Sequence, residues 1–283
     1  MSKIILLILL WNTSLFAAII SRDELAIAVV FLRQAKVQTV DVAGAKAEVW
    51  LKLPSDAAPQ PKIEYDTGTG FFVTSGKRIY LVTASHVARS MTLTAEVTMS
   101  QEKDTPFTVP LGTLAGRQDA NWFTHPEADV ALLELTPTQD FIEKHLQKRF
   151  IDFSFFTVEL NAPSRDIPLT VMGFPLAFGV EKFFSPLTQQ THGASGLLTL
   201  ARADTSQKAT FFLLESPSVG GYSGAPCFDI SIYKLGAATA TGSGTLCYGL
   251  MHGTISDATG GKLAAVTPAF FIVDTVKKYE SSH

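Results

Sequence analysis

The chain has 283 residues, 46% of them hydrophobic and 17% charged, which is the balance of a globular protein and excludes a disordered one. A formal net charge of −3 leaves no basic excess to neutralise phosphates, so no nucleic-acid partner is expected. No run of like charge is long enough to act as a tail, and the length allows one large domain or two small ones.

Residues 1–18 read as a secretory signal peptide. Lys3 gives a positive start, residues 4–11 are apolar, and Ala17-Ala18 place small residues near a cut. Asn12, Thr13 and Ser14 interrupt the apolar stretch, which disfavours the alternative of an uncleaved anchor. The expected location is exported, periplasmic or secreted, with no stable membrane span after cleavage.

Further on, short strand-like runs dominate: residues 28–32, 70–74, 78–83, 91–100, 130–135, 169–172, 197–200 and 210–214. Residues 91–100 alternate without a break, with Met91, Leu93, Ala95, Val97 and Met99 on one face. Ser75-Gly76-Lys77 reads as a hairpin turn, and the Pro/Ala-rich residues 54–61 as a loop. Helical spacing occurs twice. Phe141, Ile142, His145, Leu146 and Phe150 predict a helix over residues 140–150. Phe271, Ile272, Val276 and Tyr279 form one stripe over residues 268–279, with Thr267-Pro268 expected to cap it. The pattern predicts an all-β sandwich or barrel with a docked C-terminal helix.

Three segments carry chemistry. Thr83-Ala84-Ser85-His86 ends a strand in small residues, leaving the imidazole of His86 room beside a substrate. Ala128-Asp129-Val130-Ala131-Leu132-Leu133 sets Asp129 at the mouth of an apolar strand, where a desolvated carboxylate can hold an imidazole tautomer. Asp119 and Glu127 precede no such strand. Gly220-Gly221-Tyr222-Ser223-Gly224-Ala225-Pro226 allows a tight loop whose N–H groups converge. A serine hydroxyl needs a base and the base needs an orienting group. His86, Asp129 and Ser223 supply the base, the group that orients it, and the nucleophile. The histidine precedes the serine and an apolar strand follows it, so a helix-opening nucleophile elbow is not expected.

Cys227 and Cys247 lie on two apolar stretches that read as arms of one long hairpin. In an exported chain they either form a cross-hairpin disulfide or remain two buried thiols. No Cys/His spacing suggests a metal site, and no cofactor is expected. His125, next to Pro126, reads as solvated; His145 has no partner at ligand spacing; His192 reads as a turn residue that could approach substrate.

Together with Gly68-Thr69-Gly70-Phe71-Phe72-Val73, Gly173-Phe174-Pro175 and Tyr248-Gly249-Leu250-Met251-His252-Gly253, these segments give the chain a resemblance to a known family. In order and spacing it resembles the trypsin/chymotrypsin-like serine peptidases, more closely their bacterial exported relatives of the glutamyl-endopeptidase type. The resemblance implies two six-stranded antiparallel β-barrels with the site between them. Residues 22–136 would form the first barrel, 137–160 a connector, 161–262 the second barrel, and 263–283 the C-terminal helix and tail. It implies an oxyanion hole from the N–H groups of Gly221 and Ser223, and a peptide or protein substrate. Met251, His252, Gly253 and Thr254 would meet that substrate.

The chain departs from the family pattern in three places. Trypsin-like enzymes that cut after Lys or Arg carry an Asp where Pro217 stands. Glutamyl peptidases carry a histidine at the place of Met251; here His252 comes one later, and a one-residue shift on a strand turns a side chain over. His252 therefore reads either as a substrate contact or as a structural residue beside Asp129 or in the barrel wall. The third departure is an extended loop between Lys234 and Gly244. The alternative to an active endopeptidase is a catalytically silent relative that serves as a peptide-binding or scaffold module.

Overall fold

The structure is a computed structural model that describes residues 21–52, 58–202, 204–230, 232–235, 238–241, 245–256 and 262–283. The expected signal peptide, residues 1–18, lies outside the described residues, as does part of the 54–61 loop. No described helix is long and apolar enough to cross a membrane.

Among the described residues, two large sheets carry the molecule, antiparallel except for one added strand. The first has eight strands, running in the order Phe123–Thr124, Ala131–Leu135, Arg78–Thr83, Ile63–Ser75, Val29–Val37, Glu96–Ser100 and Pro106–Pro110, with Ile151–Asp152 added in parallel to Ile63–Ser75. The second has seven, in the order Leu187–Thr191, Leu169–Gly173, Pro226–Asp229, Leu246–Ser256, Lys262–Pro268, Lys208–Leu214 and Leu198–Ala201. The all-β architecture with a C-terminal helix is as expected. The first sheet exceeds six strands because two-residue ladders, too short to read from a pattern, extend it; the second gains its seventh from strands of four residues or more. Outside both sheets, Thr39–Val42 pairs with Ala45–Glu48 and Trp50–Leu51 with Gln60–Pro61.

The turn at Gly76-Lys77 is a two-residue hairpin. Ser75 pairs with Arg78, and Gly76 supplies the positive φ of +59° that the twist of such a turn requires. The main core fills the first sheet with Phe31, Phe71, Phe72, Leu81, Val82 and Leu132, all nearly inaccessible. It also takes in Phe228, Cys247 and Leu250 from the second sheet, so the two sheets share one apolar interior. A smaller core around Val171, Phe212, Tyr222, Met251 and Val266 belongs to the second sheet. Each large side chain buried here contributes about 1.5–3 kcal/mol relative to exposure.

The helix Ala269–Ser282 leaves the second sheet and returns to the first. Its predicted stripe, Phe271, Ile272, Val276 and Tyr279, is the buried one. Tyr279 packs edge-on against Tyr80 and donates to Glu134 at 3.0 Å. Thr267 does not cap this helix; Pro268 occupies the N-cap position and Thr267 is buried as the end of the preceding strand.

Three local expectations need correction. Residues 91–100 do not form one strand; pairing begins at Glu96. Thr92 and Thr94 hydrogen-bond each other and Thr92 bonds Gln34, so local hydroxyl bonds hold a turn in place of the ladder. The 140–150 helix is a single turn, Gln139–Phe141, running into a π turn at Ile142–Leu146. The backbone then leaves to pair Ile151 with Val73. Finally, His125 is not solvated. It is 5% exposed beneath the C-terminal helix, and its Nε2 donates to Asp274 Oδ2 at 2.9 Å. The sequence could not show which surface that helix would cover.

The cysteines do lie on paired strands, but as free buried thiols. Cys227 faces Gly249 and Cys247 faces Phe228, with a register shift between them. The two side chains enter different cores, so no cross-hairpin bridge joins them. Burial pushes both thiols well above their ordinary pKa.

Burial, opposed by the bond to Asp274, lowers the pKa of His125. The unfolded chain thus takes up a proton near pH 6.5 that the folded chain resists. The stabilising contribution is present above that value and lost as pH falls towards the folded pKa. His125→Gln is expected to flatten the loss of unfolding free energy below about pH 6.5, as measured by urea titration across pH.

Candidate active site

The strand Arg78–Thr83 delivers its chain end at the boundary between the sheets, and a one-turn helix, Ser85–Ala88, carries His86 there. Ala131 pairs with Thr83, so the loop just before Ala131–Leu135 brings Asp129 beside that turn. The register of two adjacent strands thus sets the distance between two residues far apart in sequence. His86 Nδ1 donates to Asp129 Oδ2 at 2.7 Å, and the His86 backbone N–H donates to Oδ1 at 3.0 Å. Ser85 Oγ donates to Oδ1 at 2.6 Å.

Two further donors come from the second sheet. Arg202 Nη2 reaches Asp129 Oδ1 at 2.8 Å, and His252 Nδ1 reaches Oδ2 at 2.5 Å. Asp129 is inaccessible to solvent. Burial alone would raise its pKa, but the bonds from His252 and His86 outweigh that cost and hold the carboxyl far below the usual range. His86, Asp129 and His252 offer donor atoms within 4.8 Å of one another, close enough to share a metal ion. The Arg202 guanidinium on the same carboxylate opposes a cation there.

Ser223 sits on the loop ahead of the strand Pro226–Asp229. Gly221 has φ +103°, and a Cβ there would lie 2.3 Å from the Phe174 carbonyl oxygen. Gly224 has φ +85°, and a Cβ there would lie 2.1 Å from the Thr69 carbonyl oxygen. Only glycine fits either place. Thr69, on Ile63–Ser75 of the first sheet, pins the loop. Its Oγ1 donates to Gly221 O at 2.7 Å and accepts from Phe174 N at 3.1 Å, while its N–H donates to Ser223 O at 2.9 Å. The N–H groups of Tyr222, Gly224 and Ala225 go to the carbonyls of Val219, Met251 and Tyr222. Among the described residues, those of Gly221 and Ser223 have no partner. These two N–H groups, with that of Gly220, are left unengaged among the described residues on the loop that carries the serine hydroxyl.

The hydroxyl of Ser223 donates to the His252 carbonyl at 3.1 Å. Among the described residues no hydrogen bond joins it to His86. The structure therefore unites His86 with Asp129 and places Ser223 against the strand Leu246–Ser256.

Met251 and His252, expected to meet substrate, do not offer their side chains to it. Met251 is fully buried in the second core. His252 is 3% exposed, because the register slips between Met251 and Gly253 and leaves His252 as an extra residue in the ladder. That bulge turns the imidazole onto Asp129, with Phe211 packed on its ring at 4.9 Å. Of the two roles open to His252, the structural one beside Asp129 is the observed one. Gly253 and Thr254 keep partial exposure, and Thr254 Oγ1 donates to Ser218 O at 3.0 Å. Elsewhere, His145 stacks on Phe107, and His192 lies 3.7 Å from Glu215.

Sequence reasoning missed Thr69 and Arg202. Thr69 lies inside a quoted motif, but nothing local marks it as a donor to the other sheet. Arg202 carries no pattern at all.

Comparison with known proteins gives one family. The model described as "Trypsin-like peptidase domain" matches residues 68–235, more than half of the chain. A solved structure with a similar fold is that of a thermostable serine protease, AL20, from an extremophilic microorganism. It is 12% identical, with a TM-score of 0.47, over 92% of this chain and 99% of that one. No curated protein sequence matches the chain.

Thr69→Val keeps the side-chain shape and removes the hydroxyl from Gly221 and Phe174. It is expected to cost about 1–3 kcal/mol in urea unfolding, since it orphans two buried polar groups. A cost near zero would show that the loop does not depend on this pin.

Proposed function

The chain belongs to the trypsin-like peptidase family, and from that premise we propose that it is an exported serine endopeptidase acting through His86, Asp129 and Ser223. The observation that carries the reading is the buried Asp129 carboxylate holding His86 Nδ1 at 2.7 Å, beside a glycine-formed serine loop. Export is supported by the signal-like residues 1–18 alone.

The steps follow from the groups in place. Substrate turns the Ser223 hydroxyl from the His252 carbonyl towards His86 Nε2, a bond that commonly tightens only in the complex. Ser223 Oγ then bonds the scissile carbonyl carbon as His86 takes its proton. The carbonyl oxygen gains the negative charge and accepts from the N–H groups of Gly221 and Ser223. His86 returns the proton to the leaving amine as the C–N bond breaks, giving an acyl-enzyme ester. Water, deprotonated by His86, attacks the ester and frees Ser223. Asp129 keeps its charge throughout, holding the tautomer and stabilising the imidazolium.

An extended peptide has a place to bind. The strand Pro226–Asp229 covers one edge of Leu246–Ser256 only as far as Leu250, while Lys262–Pro268 covers the other through Ser256. The edge beyond Met251, beside Ser223, is suited to strand addition by the substrate backbone. This favours cleavage within chains. Pro217 gives no charge to select a basic side chain.

A fluorophosphonate is expected to label the mature chain, and Ser223→Ala and His86→Ala to abolish labelling. A folded chain that binds peptide but resists the label would make it a peptide-binding module instead. Asp129→Asn is expected to lower turnover by about 10⁴-fold through the wrong His86 tautomer, as measured by peptide hydrolysis on a folded variant. Unchanged turnover would remove Asp129 from the assignment.

A further inference from the structure

Among the described residues Asp129 accepts five hydrogen bonds, and two of them come from outside its own sheet. Arg202 follows the strand Leu198–Ala201 and lies at the tip of the hairpin to Lys208–Leu214. Its own N–H donates to Gln207 O at 2.8 Å and its carbonyl accepts from Ser206 N at 2.9 Å. The side chain is buried, and Asp204 fixes it through Nε at 2.9 Å and Nη2 at 2.8 Å. Asp204 also pairs with Arg89, just past the turn that carries His86. The hairpin of the second sheet is therefore clamped on both sides of His86. His252 approaches the other carboxylate oxygen, and its ring meets that of His86 edge-on at 5.4 Å.

The electrostatic consequence is direct. His86 and His252 donate to the same oxygen, Oδ2, so they divide its basicity. Arg202 brings a full positive charge to Oδ1 in a site without solvent screening. Each weakens the pull of the carboxylate on an imidazolium at His86. The charged or titratable groups facing His86, directly or through one partner, are Asp129, His252, Arg202, Asp204 and Arg89. Only Asp129 and Asp204 favour the imidazolium, and Asp204 is engaged by the two arginines.

We propose that Arg202 and His252 are positioning residues for His86, acting through Asp129: they fix the carboxylate's orientation and share its charge with His86. This rests on the serine peptidase reading for its meaning in catalysis. It makes the pH at which the site works a property of contacts between the sheets, with the base on one sheet and the groups that tune it on the other.

The test is the protonation midpoint of the His86 ring, read by NMR in the Ser223→Ala chain, alongside the acid limb of kcat/KM in the active chain. Arg202→Met is expected to raise the midpoint by about one pH unit and to shift the acid limb with it, with kcat falling and KM nearly unchanged. Arg202→Lys keeps the charge and is expected to stay near the parent. His252→Phe keeps a ring against Phe211 without the donor; it is also expected to raise the midpoint, and it decides the matter if Arg202→Met does not fold. Unmoved midpoints in folded variants would overturn the proposal, because lost packing alone does not change the basicity of His86. The midpoint needs no turnover. A moved midpoint in a chain that no fluorophosphonate labels would therefore sink the peptidase reading and leave the coupling established.

Discussion

A carboxylate with no access to water is the constraint around which the site is organised. An isolated buried charge of this kind would be intolerably expensive, and the chain meets the cost with donors on every side of Asp129. Three come from the turn that carries His86, and two from the other sheet. Because the donors come from both sheets, the carboxylate ties them together as well as orienting an imidazole. Its ionised state in turn requires both sheets to be in place.

Thr69 forms a second tie at the same boundary. One side chain and one N–H from the first sheet hold both ends of the Gly221 to Ser223 segment. The shared apolar core behind them, and the terminal helix that runs from the second sheet onto the first, limit how far the sheets can move apart. The geometry of His86 and Ser223 depends on that rigidity, since each stands on a different sheet and no hydrogen bond joins them directly. The glycines complete the device. At positions 221 and 224 a Cβ would lie 2.3 Å and 2.1 Å from the carbonyl oxygens of Phe174 and Thr69, so a side chain would force the loop away.

The position of His252 shows how a single extra residue alters a site. One residue in the ladder between Met251 and Gly253 sends an imidazole into the interior instead of along the cleft. Regular alternation would turn this side chain over; in the bulge it is committed to Asp129. The glutamyl-type likeness therefore does not extend to this residue's role, while the family itself rests on the broad match over residues 68–235.

The sequence by itself determined the strand-rich fold, the Ser75 to Arg78 hairpin and the buried stripe of the terminal helix, and singled out His86, Asp129 and Ser223 as the candidate set. Each of these is written in local chemistry: alternation, a two-residue turn, helical spacing, or a polar residue at a strand end between small neighbours. Tertiary structure alone decided the rest. Residues 91–95 alternate like a strand yet form a turn, because Thr92 found Gln34 and Thr94 before it found a ladder. His125 looked like a loop residue until a helix from the far end of the chain covered it. Cys227 and Cys247 stand on neighbouring strands, and only the register shift keeps their thiols in different cores. Arg202 and Thr69 bond partners more than seventy positions away. Such contacts leave no periodicity for a sequence to display, because they depend on how two sheets pack and not on how either one is built.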